Sequence, residues 1–314
     1  MNTMKRKFVI NTTSGGGITP EKMKEIEDYF LEKTGIFDYS TTGNKTDATM
    51  ITRHAIKEGY QQVIAIGGDG TINEVVNGFF EDGSFIGKNT ILGISKNGTG
   101  SDFYKSLLIE STSKKNDWKE HVLGSKIINS DVGLFQFTDD MNTPPRFFIN
   151  MAGAGISSHV VFIKTKLPKF IPSVFHYILS TILALTKLKT YPMIIQYGTK
   201  GQNIKRKINL LQLIIANGKF AGGGMKLAPP AKINNGYFQI YFFKKINLFK
   251  VLRYLPKLYS GDFSQLSFIE HVETKQLSVE VENSTMGVEL DGEYIGDGNF
   301  LVKLIPSQIK LSCC

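Results

Sequence analysis

Gln62-Val-Ile-Ala-Ile-Gly-Gly-Asp-Gly-Thr-Ile-Asn-Glu74 is the stretch that decides the fold. Its apolar start, Gln62–Ile66, reads as a buried strand. Gly67, Gly68 and Gly70 then turn the chain, and Ile72, Val75, Val76 and Phe79 recur at helical spacing. Such a strand–glycine–helix junction is half of a parallel α/β unit, because parallel strands need a crossover that covers the sheet. Glycines let the backbone approach a ligand closely. The helix start presents unsatisfied N–H groups and a positive dipole end, both suited to phosphate. Asp69 in that loop would repel phosphate. A magnesium ion between them, or removal of a proton from an attacking hydroxyl, gives the carboxylate a purpose.

The same arrangement recurs on both sides. Lys7–Asn11 is a short strand running into Asn11-Thr-Thr-Ser-Gly-Gly-Gly17. Thr19 caps the next helix with Pro20 at its first position; Met23, Ile26 and Phe30 form the stripe and Gly35 the stop. A second helix is predicted from Asp47 to Glu58, with Ala48, Ile51 and Ala55 inward and Gly59 ending it. Thr90–Ser95 is a strand followed by Lys96-Asn-Gly-Thr-Gly-Ser-Asp-Phe103, with Thr99 and Asp102 near a helix cap. Three glycine loops thus leave strand ends of one parallel sheet, where α/β folds bind ligands. Neither GxxxxGK[ST] nor GxGxxG occurs, so Walker and Rossmann readings lack support. This α/β domain is placed at residues 1–130.

Beyond it the rhythm changes. Asp131–Phe137, Arg146–Met151, Met193–Tyr197, Ile204–Ala216, Gly236–Phe243, Gln276–Val281, Val288–Asp291 and Phe300–Ile305 are short, β-rich and bounded by turns such as Asn234-Asn-Gly236. That predicts an antiparallel sandwich or barrel. Ile171–Thr186 has no acid, Lys or Arg, yet is shorter than a membrane span. Two readings stand. It packs as a helix on the sheet, with Ser173, His176 and Ser180 as a polar stripe, or it faces a membrane, with Lys164, Lys166, Lys169, Lys187 and Lys189 meeting anionic headgroups.

Composition narrows the classes. The 314 residues are enough for two domains, and 41% hydrophobic with 21% charged residues excludes global disorder. Two cysteines exclude a disulfide scaffold and a four-cysteine zinc site. The terminal pair, Cys313-Cys314, is read as reduced thiols on a frayed tail, with lipidation as the alternative. Net charge +9 suits a polyanionic partner: nucleic acid, nucleotide or anionic lipid. No run of five like charges occurs, so a nucleic-acid arm is not expected. Phe8–Ile10 is too short for a signal peptide, which predicts a cytoplasmic protein.

Gly67-Gly-Asp-Gly-Thr71 resembles the signature shared by diacylglycerol, sphingosine, ceramide and NAD kinases and, more loosely, phosphofructokinases. Thr71–Gly78, Gly98–Phe103, Phe148–Gly153, Ala216–Met225 and Asp291-Gly-Glu293 are similar to the bacterial soluble diacylglycerol kinase-like lipid kinases, in the same order along nearly the whole chain. The resemblance implies an α/β nucleotide domain, a β-rich lipid-substrate domain over 131–300, and a segment 301–314 that returns to the first. It implies transfer of the ATP γ-phosphate to a lipid hydroxyl, with Mg²⁺, at the inner face of the membrane. The lipid would be of diacylglycerol, phosphatidylglycerol or sphingoid type.

By motif position the nucleotide contacts would be Asn11, Thr42, Gly67, Gly68, Asp69, Gly70, Thr71, Ile72, Asn73 and Thr99. Glu293 would be the general base, with Asp69 as a second catalytic carboxylate; Asp69, Asp102 and Asp131 would form an acidic network. A structural metal would sit at Lys232, Asn235 and Tyr237. There Asn235 replaces the family's Asp, which predicts a weak or empty site. An NAD kinase-like enzyme and a non-catalytic nucleotide-binding regulator are the competing readings.

Overall fold

The structure, a computed structural model, describes residues 4–13, 17–96, 101–111, 117–140, 142–167, 173–186, 188–199, 201–263 and 266–313. The chain divides into two compact units, 1–130 with 307–314, and 131–306. From Ser307 the last strand belongs to the first unit.

The first unit runs β1 (Arg6–Ile10), α1 (Pro20–Thr34), β2 (Tyr39–Thr41), α2 (Asp47–Lys57), β3 (Gln62–Ile66), α3 (Asp69–Gly78), a small hairpin of β4 (Phe80–Glu81) and β5 (Ser84–Phe85), β6 (Ile91–Ile94), α4 (Asp102–Ser111) and α5 (Trp118–Leu123). Local chemistry sets the first helix as expected: the Thr19 side chain accepts the Lys22 N–H, and Gly35 closes the end at φ 75°. The strands pair in parallel in the order β2-β1-β3-β6. Phe8, Ile10, Ile64 and Ile66 share one face and bury against Ile26, Phe30 and Val122.

The second unit begins within β7 (Lys126–Phe137) and continues through β8 (Arg146–Phe148), β9 (Met151–Gly155), α6 (Ile156–Lys166), α7 (Ser173–Leu185), β10 (Tyr191–Thr199), β11 (Gln202–Ala216), β12 (Phe238–Lys244), α8 (Leu248–Ser260), β13 (Ile269–Thr274), β14 (Gln276–Val281), β15 (Gly287–Leu290), β16 (Glu293–Asp297) and β17 (Phe300–Cys313). It is an antiparallel β-sandwich. β11 is long enough to serve two neighbourhoods. Its first part pairs with β10; after an irregularity at Leu210/Gln212 its second part pairs with β9 and β12. Met193, Ile195, Leu213, Phe238, Phe242 and Phe300 belong to its main core.

Two expectations need correction. Cys313 is not on a frayed tail. It is buried at the end of β17, whose Lys310 and Leu311 pair in parallel with Ile91 and Leu92, and its Sγ lies 3.5 Å from the Lys126 carbonyl oxygen; Cys314 lies outside the described residues. Asn234-Asn-Gly236 bounds β12 as a turn, at the end of the long 217–237 connection from β11. On α7, Ser180 and Ala184 are buried while Leu179, Ile182 and Leu183 are exposed, so the polar member faces inward. The side chains of Ser173 and His176, and residues Lys169 and Lys187, lie outside what the structure describes. Among the described residues no helix is long and apolar enough to cross a membrane.

Candidate functional site

In the first unit, the parallel strands bring Asn11, Thr42, Gly67 and Ser95 to one edge, each just past a strand's carboxyl end. Asn11 Nδ2 donates to Thr71 Oγ1 at 3.1 Å, tying the first loop to the second. The Gly67 N–H donates to the buried Ser95 hydroxyl at 3.3 Å, tying the second to the third. A Cβ at Gly67 would run into the Thr71 side chain, so close packing excludes larger residues there. Gly68 is the N-cap of α3 and offers no capping side chain, and a helix start of this kind carries the positive dipole end that favours an anion.

Asp69 begins α3, and its carboxylate accepts the Asp102 N–H at 3.1 Å and the Phe103 N–H at 3.4 Å. It thus caps α4 while standing in the glycine loop. Asp102 is itself buried and pairs with Lys105 Nζ at 3.1 Å. Ile72 and Asn73 are also buried, and Asn73 accepts from Asn77 Nδ2; they support the loop from beneath. Thr99 lies outside the described residues.

In the second unit, β15 and β16 form a hairpin whose two-residue turn is Asp291-Gly292, with φ 48° and 83°. Two successive left-handed residues suit Asp-Gly. The turn is anchored from a distance: Asp291 accepts the N–H groups of Ile149 (2.9 Å), Asn150 (3.0 Å) and Met151 (2.8 Å). Its own N–H donates to the Met151 carbonyl at 2.8 Å. Glu293 follows directly, with one carboxylate oxygen 3.6 Å from the Arg146 guanidinium. Motifs 140 residues apart in sequence therefore fix one carboxylate.

Asp131 is fully buried in the same unit. Its carboxylate accepts the Gly236 N–H at 2.7 Å, its N–H donates to Ile233 at 2.6 Å, and its carbonyl takes Asn217 Nδ2 at 2.9 Å. It serves the loop that precedes β12, while Asp69 and Asp102 meet in the first unit. That loop holds itself with protein groups. Buried Lys219 Nζ donates to the carbonyls of Pro229 and Ala231. Asn235 Oδ1 is turned onto the Tyr237 N–H at 3.1 Å, and Lys232 and Tyr237 are exposed. A neutral Asn235 oxygen already engaged by a backbone N–H is a poorer cation ligand than a free carboxylate. Among the described residues no group of three His, Cys, Asp or Glu could hold a metal ion.

Reasoning from sequence missed Arg146, Ser95, Lys219 and Glu289. Glu289 is buried beneath the turn, accepting the Gly292 N–H at 2.9 Å and facing Ser157 Oγ at 3.4 Å, which Gln212 also contacts. Burial pushes its carboxyl up to about 8 from an ordinary 4.5, and neighbouring Asp291 adds to the rise. Between those values the folded chain holds a proton that the unfolded chain releases. Stability should therefore fall as pH rises through that window, by up to ~1.4 kcal/mol per pH unit. Thermal midpoints of wild type and Glu289→Gln, followed from acid to mildly alkaline pH, should separate by this slope. Parallel curves would contradict it.

Residues 5–135 match the family described as diacylglycerol kinase catalytic domain, and residues 150–313 match the YegS C-terminal NAD kinase beta sandwich-like domain. A diacylglycerol kinase of Bacillus subtilis (strain 168) is 30% identical over 301 residues, covering 93% of this chain and 91% of that protein. One from Staphylococcus carnosus (strain TM300) is 28% identical over 299 residues, covering 94% and 91%. Among solved structures, a diacylglycerol kinase from Bacillus anthracis str. Sterne superposes with TM-score 0.71 at 20% identity, over 100% of this chain and 98% of that one. Yeast NADH kinase complexed with NADH gives 0.55 at 11% identity, over 100% and 84%.

Proposed function

Because the chain belongs to the diacylglycerol kinase family, we propose that it transfers the γ-phosphate of ATP to a hydroxyl of a membrane lipid such as diacylglycerol. The observation that carries this reading is the fixed carboxylate of Glu293, set on a turn that three backbone N–H groups lock through Asp291. In this mechanism a Glu293 oxygen accepts the proton of the attacking lipid hydroxyl, and Arg146 holds the carboxylate's orientation. The positive end of α3 and the glycines around Asp69 bind the nucleotide's phosphates. Asp69 is half-exposed in that loop and would be the carboxylate facing a magnesium ion brought in with ATP. Such an ion neutralises charge on the phosphates when bound. Access to the lipid is peripheral in this reading, at a membrane surface.

Acceptor-dependent ADP production tests the proposal. The purified chain is given ATP with diacylglycerol, phosphatidylglycerol, sphingosine or NAD in parallel. We expect turnover with a lipid and none with NAD. Turnover with NAD alone would establish the competing reading that the NADH kinase fold likeness keeps in view. ATP binding without turnover on any acceptor would make the chain a nucleotide-binding regulator.

A further inference from the structure

From residue 141 to residue 261 the sequence contains no Asp or Glu, but eighteen Lys and Arg, although the whole chain carries only +9. The cations of the second unit are therefore segregated from its acids along the chain. Within this stretch α8 combines charge with exposed apolar surface. Phe249 is 72% exposed, Tyr259 52% and Leu248 41%, and Lys250 and Arg253 are exposed among them. At 100° per residue, Phe249, Arg253 and Pro256 fall on one outward face, with Leu248 and Tyr259 beside it.

The helix is oriented rather than dangling. Asn247 caps it through the Lys250 N–H at 2.9 Å, and Gly261 closes it at φ 80°. A Cβ at Gly261 would meet the Lys226 and Pro229 side chains, so this end packs tightly. On the inner side Leu258 packs on the cluster of Met151, Ile214, Tyr241 and Phe263. The Tyr254 and Phe268 rings lie 5.5 Å apart, and the Leu258 carbonyl accepts the Lys226 N–H at 2.7 Å. Packing thus fixes which face is outward. Lys257 reaches Asp262 at 3.7 Å; among the described residues Lys250 and Arg253 have no acidic partner.

We infer that α8 docks the enzyme on anionic lipid bilayers, with Phe249, Leu248 and Tyr259 entering the headgroup region and Lys250, Arg253 and Lys257 meeting lipid phosphates. Interleaved aromatic and cationic residues on a short helix of this kind lie in the membrane plane. The choice of a bilayer rests on the lipid-kinase reading, but the docking is measured without turnover. α7 exposes Leu179, Ile182 and Leu183, and these lack the interleaved cations.

The test is co-sedimentation of the full chain with phosphatidylcholine vesicles and with mixed phosphatidylcholine–phosphatidylglycerol vesicles. The mixed vesicles should bind it much better, and salt should weaken that preference. The double variant K250Q/R253Q should bind them about 30-fold more weakly, since each surface cation contributes roughly 1 kcal/mol. Phe249→Ser should weaken binding even at high salt, where Ile182→Ser should leave it unchanged. As a direct readout, Phe249→Trp should be quenched by brominated lipid beyond the level of the native Trp118. Equal binding to both vesicles, wild-type binding by F249S and K250Q/R253Q, loss only in I182S, or an unquenched Trp at 249 would each overturn the docking face. Docking by α8 without lipid turnover would sink the kinase reading alone. Turnover of detergent-dispersed lipid with no role for α8 in vesicle binding would sink the docking alone.

Discussion

Asp291→Ala is expected to lower the unfolding free energy by about 3 kcal/mol and to cut lipid phosphorylation with it. The substitution strips the acceptor from three N–H groups, those of Ile149, Asn150 and Met151, in a buried pocket. A hydrogen bond to a charged group contributes roughly 1.5–3 kcal/mol, and a stranded buried donor costs about 1–3 kcal/mol. Water entering the space left by the carboxylate recovers part of that sum. Asp291→Asn keeps one acceptor oxygen and a residue type tolerant of the left-handed backbone at φ 48°, so its loss should be about half as large. Urea unfolding of both variants reads the difference. A loss below about 1 kcal/mol in Asp291→Ala would mean that the turn is held by its own hairpin.

The second large effect belongs to Glu293. Glu293→Gln keeps the shape of the side chain and a neutral contact to Arg146, but an amide cannot take up the hydroxyl proton. General-base catalysis contributes typically 10²–10⁴-fold, so kcat should fall by about that factor. The thermal midpoint and ATP affinity should stay near wild type, because the glycine loops proposed to hold the nucleotide belong to the other compact unit. A kcat within a few-fold of wild type would remove Glu293 from the chemistry and leave Asp69 as the remaining candidate.

Legibility followed the range of the interaction. Thr19, Pro20 and Gly35 announce the first helix because a cap involves neighbours within four residues. Gly67–Thr71 announces the tight turn from strand to helix for the same reason, and Ile72, Val75, Val76 and Phe79 are all buried as their spacing predicts. Long-range partners carry no local mark. The Asp291 carboxylate reads as an ordinary turn residue until the chain brings residues 149–151 to it. Arg146 and Glu289 acquire meaning only beside that turn. Helix α8 escaped because Pro256 sits inside it, where a missing N–H ordinarily ends a helix; the caps at Asn247 and Gly261 and the packing of Leu258 carry it through. The stripe of Ser173, His176 and Ser180 carried no mark of which way it faced: Ser180 is buried, and the exposed face there is Leu179, Ile182 and Leu183.

The central claim is that phosphate leaves ATP for a lipid hydroxyl. It is tested most directly by giving the purified chain γ-labelled ATP, magnesium and diacylglycerol in mixed micelles, and identifying chromatographically where the label lands. The account predicts labelled phosphatidate from the wild-type chain, and its loss in Glu293→Gln at unchanged ATP binding. Label recovered only as inorganic phosphate, or on NAD in place of the lipid, would contradict it.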